Sequence, residues 1–246
     1  MAGKTILTPG QRAALFDPPT DHSSIERVYT LGSAELAEIF RRRRPANRIG
    51  FAVQLCYLRA PGRALRADEA PPLPMLALLA EQLTCTVKDF DLYADRSPTL
   101  REHRAQAEAW LGMRPFVVSD RRALFEIAAD VAAATDRGEA IVAAMVQAMR
   151  DNNVTLPASD TFERIALVAR ARARKSAYSG IARGLSGDQR DNLAQLLITG
   201  PALGRTTLAW LREYPEAPSA GNLAAVIERL EIARGLAIEP ERARTI

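Results

Sequence analysis

The sequence is poor in the side chains that most often carry chemistry. Its 246 residues hold two cysteines, Cys56 and Cys85, and two histidines, His22 and His103. No Cys-x-x-Cys pair is present, so a zinc site is not expected. Both cysteines sit in apolar surroundings and read as free thiols of a reducing compartment rather than a disulfide. Neither Gly-x-Gly nor a full Walker pattern occurs, which argues against a phosphate-cradling loop, and no Gly-x-Ser-x-Gly elbow is there to hold a nucleophile. The acidic residues fall mostly in helix first turns or on exposed faces. Catalytic residues, metal ligands and cofactors are therefore all expected to be absent from this chain. Aromatics make up 6%, too few for a single-strand stacking platform, and Trp110, Trp210, Tyr57 and Tyr178 read as core residues. No window approaches the ~18 apolar residues of a membrane span, and the N-terminus lacks the apolar run of a signal peptide. The expectation is a soluble, cytoplasmic protein.

Composition is that of a globular chain, 48% hydrophobic and 25% charged, with length for one large domain or two to three small ones. Net charge is +4, and its distribution says more than its size. Residues 1–70 carry 11 basic against 7 acidic side chains, residues 71–154 carry 9 against 12, and residues 155–246 carry 13 against 10. Two basic ends flank an acidic middle.

The stretch from Arg41 to Arg66 dominates the first basic end, with eight arginines and no acidic residue over twenty-six positions. Inside it lies an apolar segment, Ile49 to Leu58, broken only by Gln54. A helix is expected over Ser33–Arg43, with an acid in its first turn and Leu36, Ile39 and Phe40 on one face. Pro45 should end it, and a second helix should run from Ala46 or Asn47 to Arg59. That helix is apolar nearly all round and should be enclosed by neighbours. A helix–turn–helix element is thus expected across 33–59.

Elsewhere the caps and breaks mark further helices. Thr8-Pro9 starts one ending at Pro18-Pro19, and His22 to Thr30 holds another. Pro-rich residues 67–74 bridge to helices over Pro74–Leu83 and after Thr86. Others start at Ser97-Pro98, Ser119 and Gly138. From Thr161 to Arg183 one helix is expected, with Phe162, Ile165, Ala166, Ala169 and Ala173 on one face. Between Arg164 and Arg183 it carries six basic residues and no acid. Ser186 caps the next helix, which Gly200-Pro201 breaks, and two more follow over Thr206–Leu211 and Ala220–Leu236. No alternating strand and no fixed-period repeat is evident. The fold class is all-α, roughly a dozen helices in two or three small modules, set at 1–67, 68–154 and 155–246.

Guanidinium clusters without interleaved acids, mounted on packed helices, point to a polyanion. The reading is double-stranded DNA binding by the first and third modules, with the acidic middle as spacer. Arg41, Arg42, Arg43 and Arg44 at a helix end suit phosphate contacts, and Arg63 is counted with the DNA-binding residues. Arg48, Gln54 and Arg59 are the polar exceptions on the enclosed helix, where Arg can read guanine and Gln adenine, and Asn47 belongs to the same DNA-binding set. Arg164, Arg170, Arg172, Arg174, Lys175 and Arg183 make the second set. With about six phosphates neutralised, log affinity should fall with log salt at a slope near −5. The competing readings are a helical protein–protein module whose basic faces meet an acidic partner, and a small enzyme with an unrecognised site.

The run Arg43-Arg44-Pro45-Ala46-Asn47-Arg48-Ile49-Gly50-Phe51-Ala52-Val53-Gln54-Leu55-Cys56-Tyr57-Leu58-Arg59, with Pro61-Gly62, resembles the N-terminal region of transposases of the Tn-three family. Leu156-Pro157 with Glu163-Arg164 resembles the same family further along, and Leu7-Thr8 to Phe16 also fits. The resemblance covers most of the chain. It implies binding of the terminal inverted repeats of a replicative, cointegrate-forming bacterial transposon through several helical DNA-binding modules. It places catalysis in a ribonuclease-H-like domain with an Asp-Asp-Glu metal triad, far downstream. It further implies a nucleoid-associated parent protein acting as a homodimer, of which this chain is a fragment without catalysis.

Overall fold

One helix, Pro45–Arg59 (α4), is the axle of the structure, because every side chain from Ile49 to Leu58 is buried. An apolar run of this length has no polar face to give to water, so neighbours must cover it on all sides. The computed structural model describes residues 6–66, 69–93, 97–199, 204–213 and 219–236. In chain order the helices before α4 are Pro9–Phe16 (α1), His22–Tyr29 (α2) and Ser33–Phe40 (α3). After it come Leu73–Leu83 (α5), a 3-10 helix at Val87–Leu92, Ser97–Trp110 (α6), Val118–Ala134 (α7) and Gly138–Asp151 (α8). The series ends with Ser159–Gly184 (α9), Gly187–Gln195 (α10), Thr207–Leu211 (α11) and Ala220–Gly235 (α12). The fold is all-α; among the described residues, extended pairing is limited to three isolated bridges. None of the helices is long and apolar enough to cross a membrane, again among the described residues.

Some of the expected caps are in place, but Ser33 and Ser119 lie inside helices that Gly32 and Val117 precede, and the Thr86 hydroxyl donates to Asp89 instead of capping. Thr8 and Gln11 form a reciprocal capping box at α1, and Ser186 with Gln189 repeats it at α10. The boundaries around the arginine run differ from the sequence reading. α3 ends at Phe40 rather than Arg43, and Pro45 opens α4 as its first residue, which proline favours because the missing N–H is unbonded there anyway. The four arginines 41–44 therefore form the link between two helices. The Gly200-Pro201 break lies outside the described residues.

The chain divides into two compact units, Met1–Arg172 and Ala173–Ile246. In the first, α2, α3, α5, α6 and the 3-10 helix close around α4, with Tyr29, Ile39, Phe51, Leu55, Tyr57, Met75, Leu79 and Ala107 in one core. Each fully buried large side chain there is worth roughly 1.5–3 kcal/mol. Gly50 is required by contact: a Cβ at that position would sit 2.1 Å from the Tyr93 ring. The α7–α8 pair packs beside this core, and α8 meets α1. Backbone pairing ties residues far apart in sequence. Leu156 N donates to Gly62 O at 2.9 Å, and Arg114 exchanges bonds with Asn153 and Thr155 at 2.9 Å each. Gly62, at φ +102, makes the turn after α4 that presents that carbonyl. Phe16 and Phe162 meet at 5.3 Å between ring centroids, and α9 buries Phe162, Ile165, Ala166 and Ala169 of the expected face together with Ser159 and Glu163, while Ala173 is half-buried.

The second unit is thinly packed. Of the large apolar residues in α10–α12 and their links, Leu196 is buried, while Leu197, Ile198, Leu208, Leu223, Ile227 and Leu230 are exposed. Arg229 lies 4.7 Å over the Trp210 ring and donates from Nε to Trp210 O. Tyr57 is a core residue and Trp210 is half-buried, but Trp110 and Tyr178 are exposed. The core expectation fails for these two because each lies on a helix position without a covering neighbour. Cys56 and Cys85 are free thiols, and burial pushes Cys56 up to about 12.

Candidate nucleic-acid interface

The α3–α4 corner sorts its arginines into those held inward and those left outward. Glu38, in the last turn of α3, accepts from Arg42 Nη1 at 2.8 Å and from Arg41 Nη1 at 2.8 Å. Burial opposes ionisation of Glu38, but the hydrogen bonds from Arg42 and then Arg41 outweigh it and hold its carboxyl below the usual value. Arg42 also bonds the Glu38 carbonyl and Gln106, and lies flat on Phe51. Arg48 Nε donates to Arg42 O at 2.8 Å, which satisfies a carbonyl just past the end of α3. Arg59 reaches back to Glu35 Oε1 at 2.5 Å and to the Val28 carbonyl. Arg63 is 3% exposed, clamped by Glu69 and within 3.3 Å of Asp17. Gln54 is fully buried.

The expectation that Arg42, Arg48, Arg59, Arg63 and Gln54 face a duplex is corrected by this geometry. The first four are committed to internal partners and the fifth is enclosed. The acid-free stretch is acid-free only along the chain, because α3 brings Glu35 and Glu38 to it, and Glu69 folds back onto Arg63. What remains outward is Arg43 and Arg44, exposed and without an ion pair among the described residues, and the largely exposed Arg41 despite its bond to Glu38. Asn47, in the first turn of α4, is half-buried.

α9 behaves differently, because no arginine or lysine of this helix is in its buried set, and the cations fall on the remaining surface. Arg164 is exposed, with Nε bonded only to its own helix at Asp160 O, 3.2 Å away. Arg170 is half-buried, and Arg172 is exposed with its guanidinium 5.8 Å over the Phe125 ring. In the second unit Arg174, Lys175 and Arg183 are exposed, Arg183 donating from Nε to Ser179 O.

Two cations that the sequence reading passed over join this set. Arg121 and Arg122, near the start of α7, are exposed and border a cavity of about 580 Å³ with Arg164 of α9. They lie in the segment with net negative charge, which hid them from a count by region. The signal was a pair of adjacent arginines in a helix whose first-turn acid, Asp120, is already bound. Arg114 holds Asp120 through two bonds of 2.8 and 2.7 Å, and that hydrogen bonding keeps the Asp120 carboxyl below the usual range. Among the described residues no group of three His, Cys, Asp or Glu side chains is placed to hold a metal ion.

Known proteins are similar to this chain in sequence. The chain is 36% identical over 231 residues to the transposase for transposon Tn21 of Escherichia coli. It is 34% identical over 231 residues to the transposase for transposon Tn501 of Pseudomonas aeruginosa. Against the transposase for transposon Tn1546 of Enterococcus faecium it is 31% identical over 241 residues. These matches cover 94%, 94% and 96% of this chain but 23%, 23% and 24% of the relatives, so the chain spans about a quarter of their length. The matched quarter is their N-terminal part. Residues 6–169 match the family described as "Domain of unknown function (DUF4158)", and the chain belongs to that family, with homologues among the Tn-three family transposases.

Proposed function

We propose that this chain is the double-stranded DNA-binding part of a transposase and recognises the terminal inverted repeats of its transposon. One observation carries the reading: a chain similar over 94% of its length to transposases keeps several exposed guanidiniums, at the α3–α4 link and on α7 and α9, that make no ion pair among the described residues. Arg43 and Arg44 at the α3–α4 link and Arg121, Arg122, Arg164 and Arg172 on α7 and α9 supply the phosphate contacts. Arg41, Asn47 and Arg170 lie beside them, and Arg174, Lys175 and Arg183 extend the basic surface of the second unit. Phosphate contacts set affinity and register, while sequence is read by fewer groups that reach base edges.

In this reading the chain works without a cofactor of its own. Strand cleavage and transfer belong to the part of the transposase beyond the matched quarter, the parent protein acts as a homodimer, and its place is on the nucleoid in the cytoplasm. The test is a gel shift of the whole chain with a duplex carrying the terminal repeat against a scrambled duplex of equal length. Tighter binding to the repeat by tenfold or more is expected, a small part of the roughly 10³–10⁷ preference that complete proteins show for a specific over a non-specific site. Equal affinity for both duplexes overturns sequence recognition. Binding to neither returns the chain to the class of protein-interaction modules.

A further inference from the structure

Along α7, Arg121, Arg122 and Phe125 share one face, and along α9 Arg164, Ile165 and Val168 do the same. The two faces look at each other across the 580 Å³ cavity. Its floor is apolar and its rim is guanidinium. The acids next to these arginines in sequence are engaged elsewhere. Asp120 is bound by Arg114, and Glu163 by Arg12 at 2.7 Å. Arg121 and Arg122 make no ion pair among the described residues, and Arg172 adds a fourth guanidinium above Phe125. Both helices also bring their N-terminal turns to the groove, Val118 opening one and Thr161 lying third in the other, so the helix dipoles add charge of the same sign.

Resting on the DNA reading above, we infer that this groove seats one sugar–phosphate strand of the duplex. A nucleic-acid strand carries an apolar deoxyribose beside each anion, and the groove holds Phe125, Ile165 and Val168 together with arginines. Arginine is suited to the role because its planar fork bonds phosphate oxygens in pairs. The strand is held as a second grip, separate from Arg43 and Arg44, and contributes affinity to any duplex rather than choice among bases. An acidic amphipathic helix is the other occupant with matching charge, and the experiment separates the two.

The whole chain is titrated into labelled terminal-repeat and scrambled duplexes over a series of salt concentrations. R121A/R122A is expected to weaken both by a similar factor, on the order of 10- to 100-fold near 0.1 M salt, and to make the salt slope shallower by about 2. R121K/R122K, which keeps the charge, should retain the slope. Phosphate-ethylation interference should lose a run of contacts on one strand in the alanine variant and keep those made by Arg43 and Arg44. The thermal midpoint should not move, because both side chains are exposed and make no ion pair among the described residues. If the wild type prefers the terminal repeat and the double variant has the same slope and phosphate map, the groove assignment is overturned while the DNA reading stands. If the wild type binds neither duplex, both are overturned. If DNA binding is unaltered but an acidic amphipathic peptide bound by the wild type is lost, the occupant is a protein.

Discussion

Arg42 lies flat over Phe51, its guanidinium carbon 3.3 Å from the ring centroid, while its Nη atoms hold Glu38 and Gln106. This one side chain joins α3, α4 and α6, so it belongs to the scaffold and not to the surface. R42A removes a charge–carboxylate bond, a carbonyl bond and a cation–π contact at a site where the side chain is 10% exposed. A loss of about 2–4 kcal/mol in unfolding free energy is expected, measured by urea titration. The DNA salt slope of the folded variant should equal that of the wild type. A shallower slope without loss of stability would move Arg42 back to the interface.

The neighbouring pair gives the opposite pattern. R43A/R44A should leave the unfolding midpoint within experimental error, because neither side chain has an internal ion partner among the described residues. Binding to terminal-repeat and scrambled duplexes should weaken by the same factor, with the slope shallower by about 2. Anisotropy titrations at four salt concentrations decide it, and a selective loss on the terminal repeat alone would assign these arginines to bases rather than phosphates.

Arg63 and Glu69 make a two-pronged ion pair, Nη1 to Oε2 and Nη2 to Oε1, each 2.6 Å. Burial opposes the charge on Glu69, but the bonds from Arg63 outweigh it and hold the carboxyl below its usual value. Removing one partner leaves the other charge unpaired in a mostly enclosed place. R63A should cost about 3–5 kcal/mol, and E69Q less because Asp17 and the Phe16 carbonyl still receive Arg63. A near-neutral R63A in chemical denaturation would contradict this account.

Much of this scaffold is legible in the sequence, and the reasons separate what is from what is not. Local rules place the helices: Thr8, Ser186, Thr206 and Ser219 each cap the helix that follows, and the all-apolar run of α4 can only be a core helix. The arginines were harder, because charge along a chain does not report charge in space. Glu38 reaches Arg42 by helical spacing of four residues, which was readable. Glu69 reaches Arg63 and Glu35 reaches Arg59 through tertiary folding, which was not. Arg121 and Arg122 escaped notice for the converse reason: acids surround them in sequence, and the fold ties the nearest one to Arg114.

Gly50 is held against Tyr93 so closely that any Cβ must displace the ring, which lies 2.1–2.4 Å from the position the carbon would take. Tyr93 cannot retreat freely, since its hydroxyl bonds His103 Nδ1 at 3.1 Å and its ring stacks on that imidazole. G50A should therefore destabilise by about 1–3 kcal/mol despite the higher helix propensity of alanine. A thermal midpoint equal to or above that of the wild type would show that the 3-10 segment carrying Tyr93 shifts without cost.

The same contact makes stability depend on pH above the range of ordinary carboxylates. His103 is buried, stacked on Tyr93 and edge-on to Phe51. Burial first, then the charge of Arg42, holds its pKa below the ordinary value, with Glu102 acting in the opposite sense. An unfolded histidine titrates near 6.5. Below that pH the unfolded chain takes up a proton that the folded chain resists, so this contribution is whole above about 6.5 and is lost as pH falls toward the folded value. The urea midpoint should drop between pH 7 and 5.5, with a slope approaching at most about 1.4 kcal/mol per pH unit. Glu38, Glu69 and Asp120, whose carboxyls are lowered, contribute stability above their unfolded values near 4 and lose it only as pH falls further. H103F keeps a ring against Tyr93 and Phe51 but cannot titrate. It should be less stable at pH 7 through loss of the Tyr93 bond, and flat from pH 7 to 5.5 where the wild type falls. Parallel profiles for the two proteins would remove His103 as the cause.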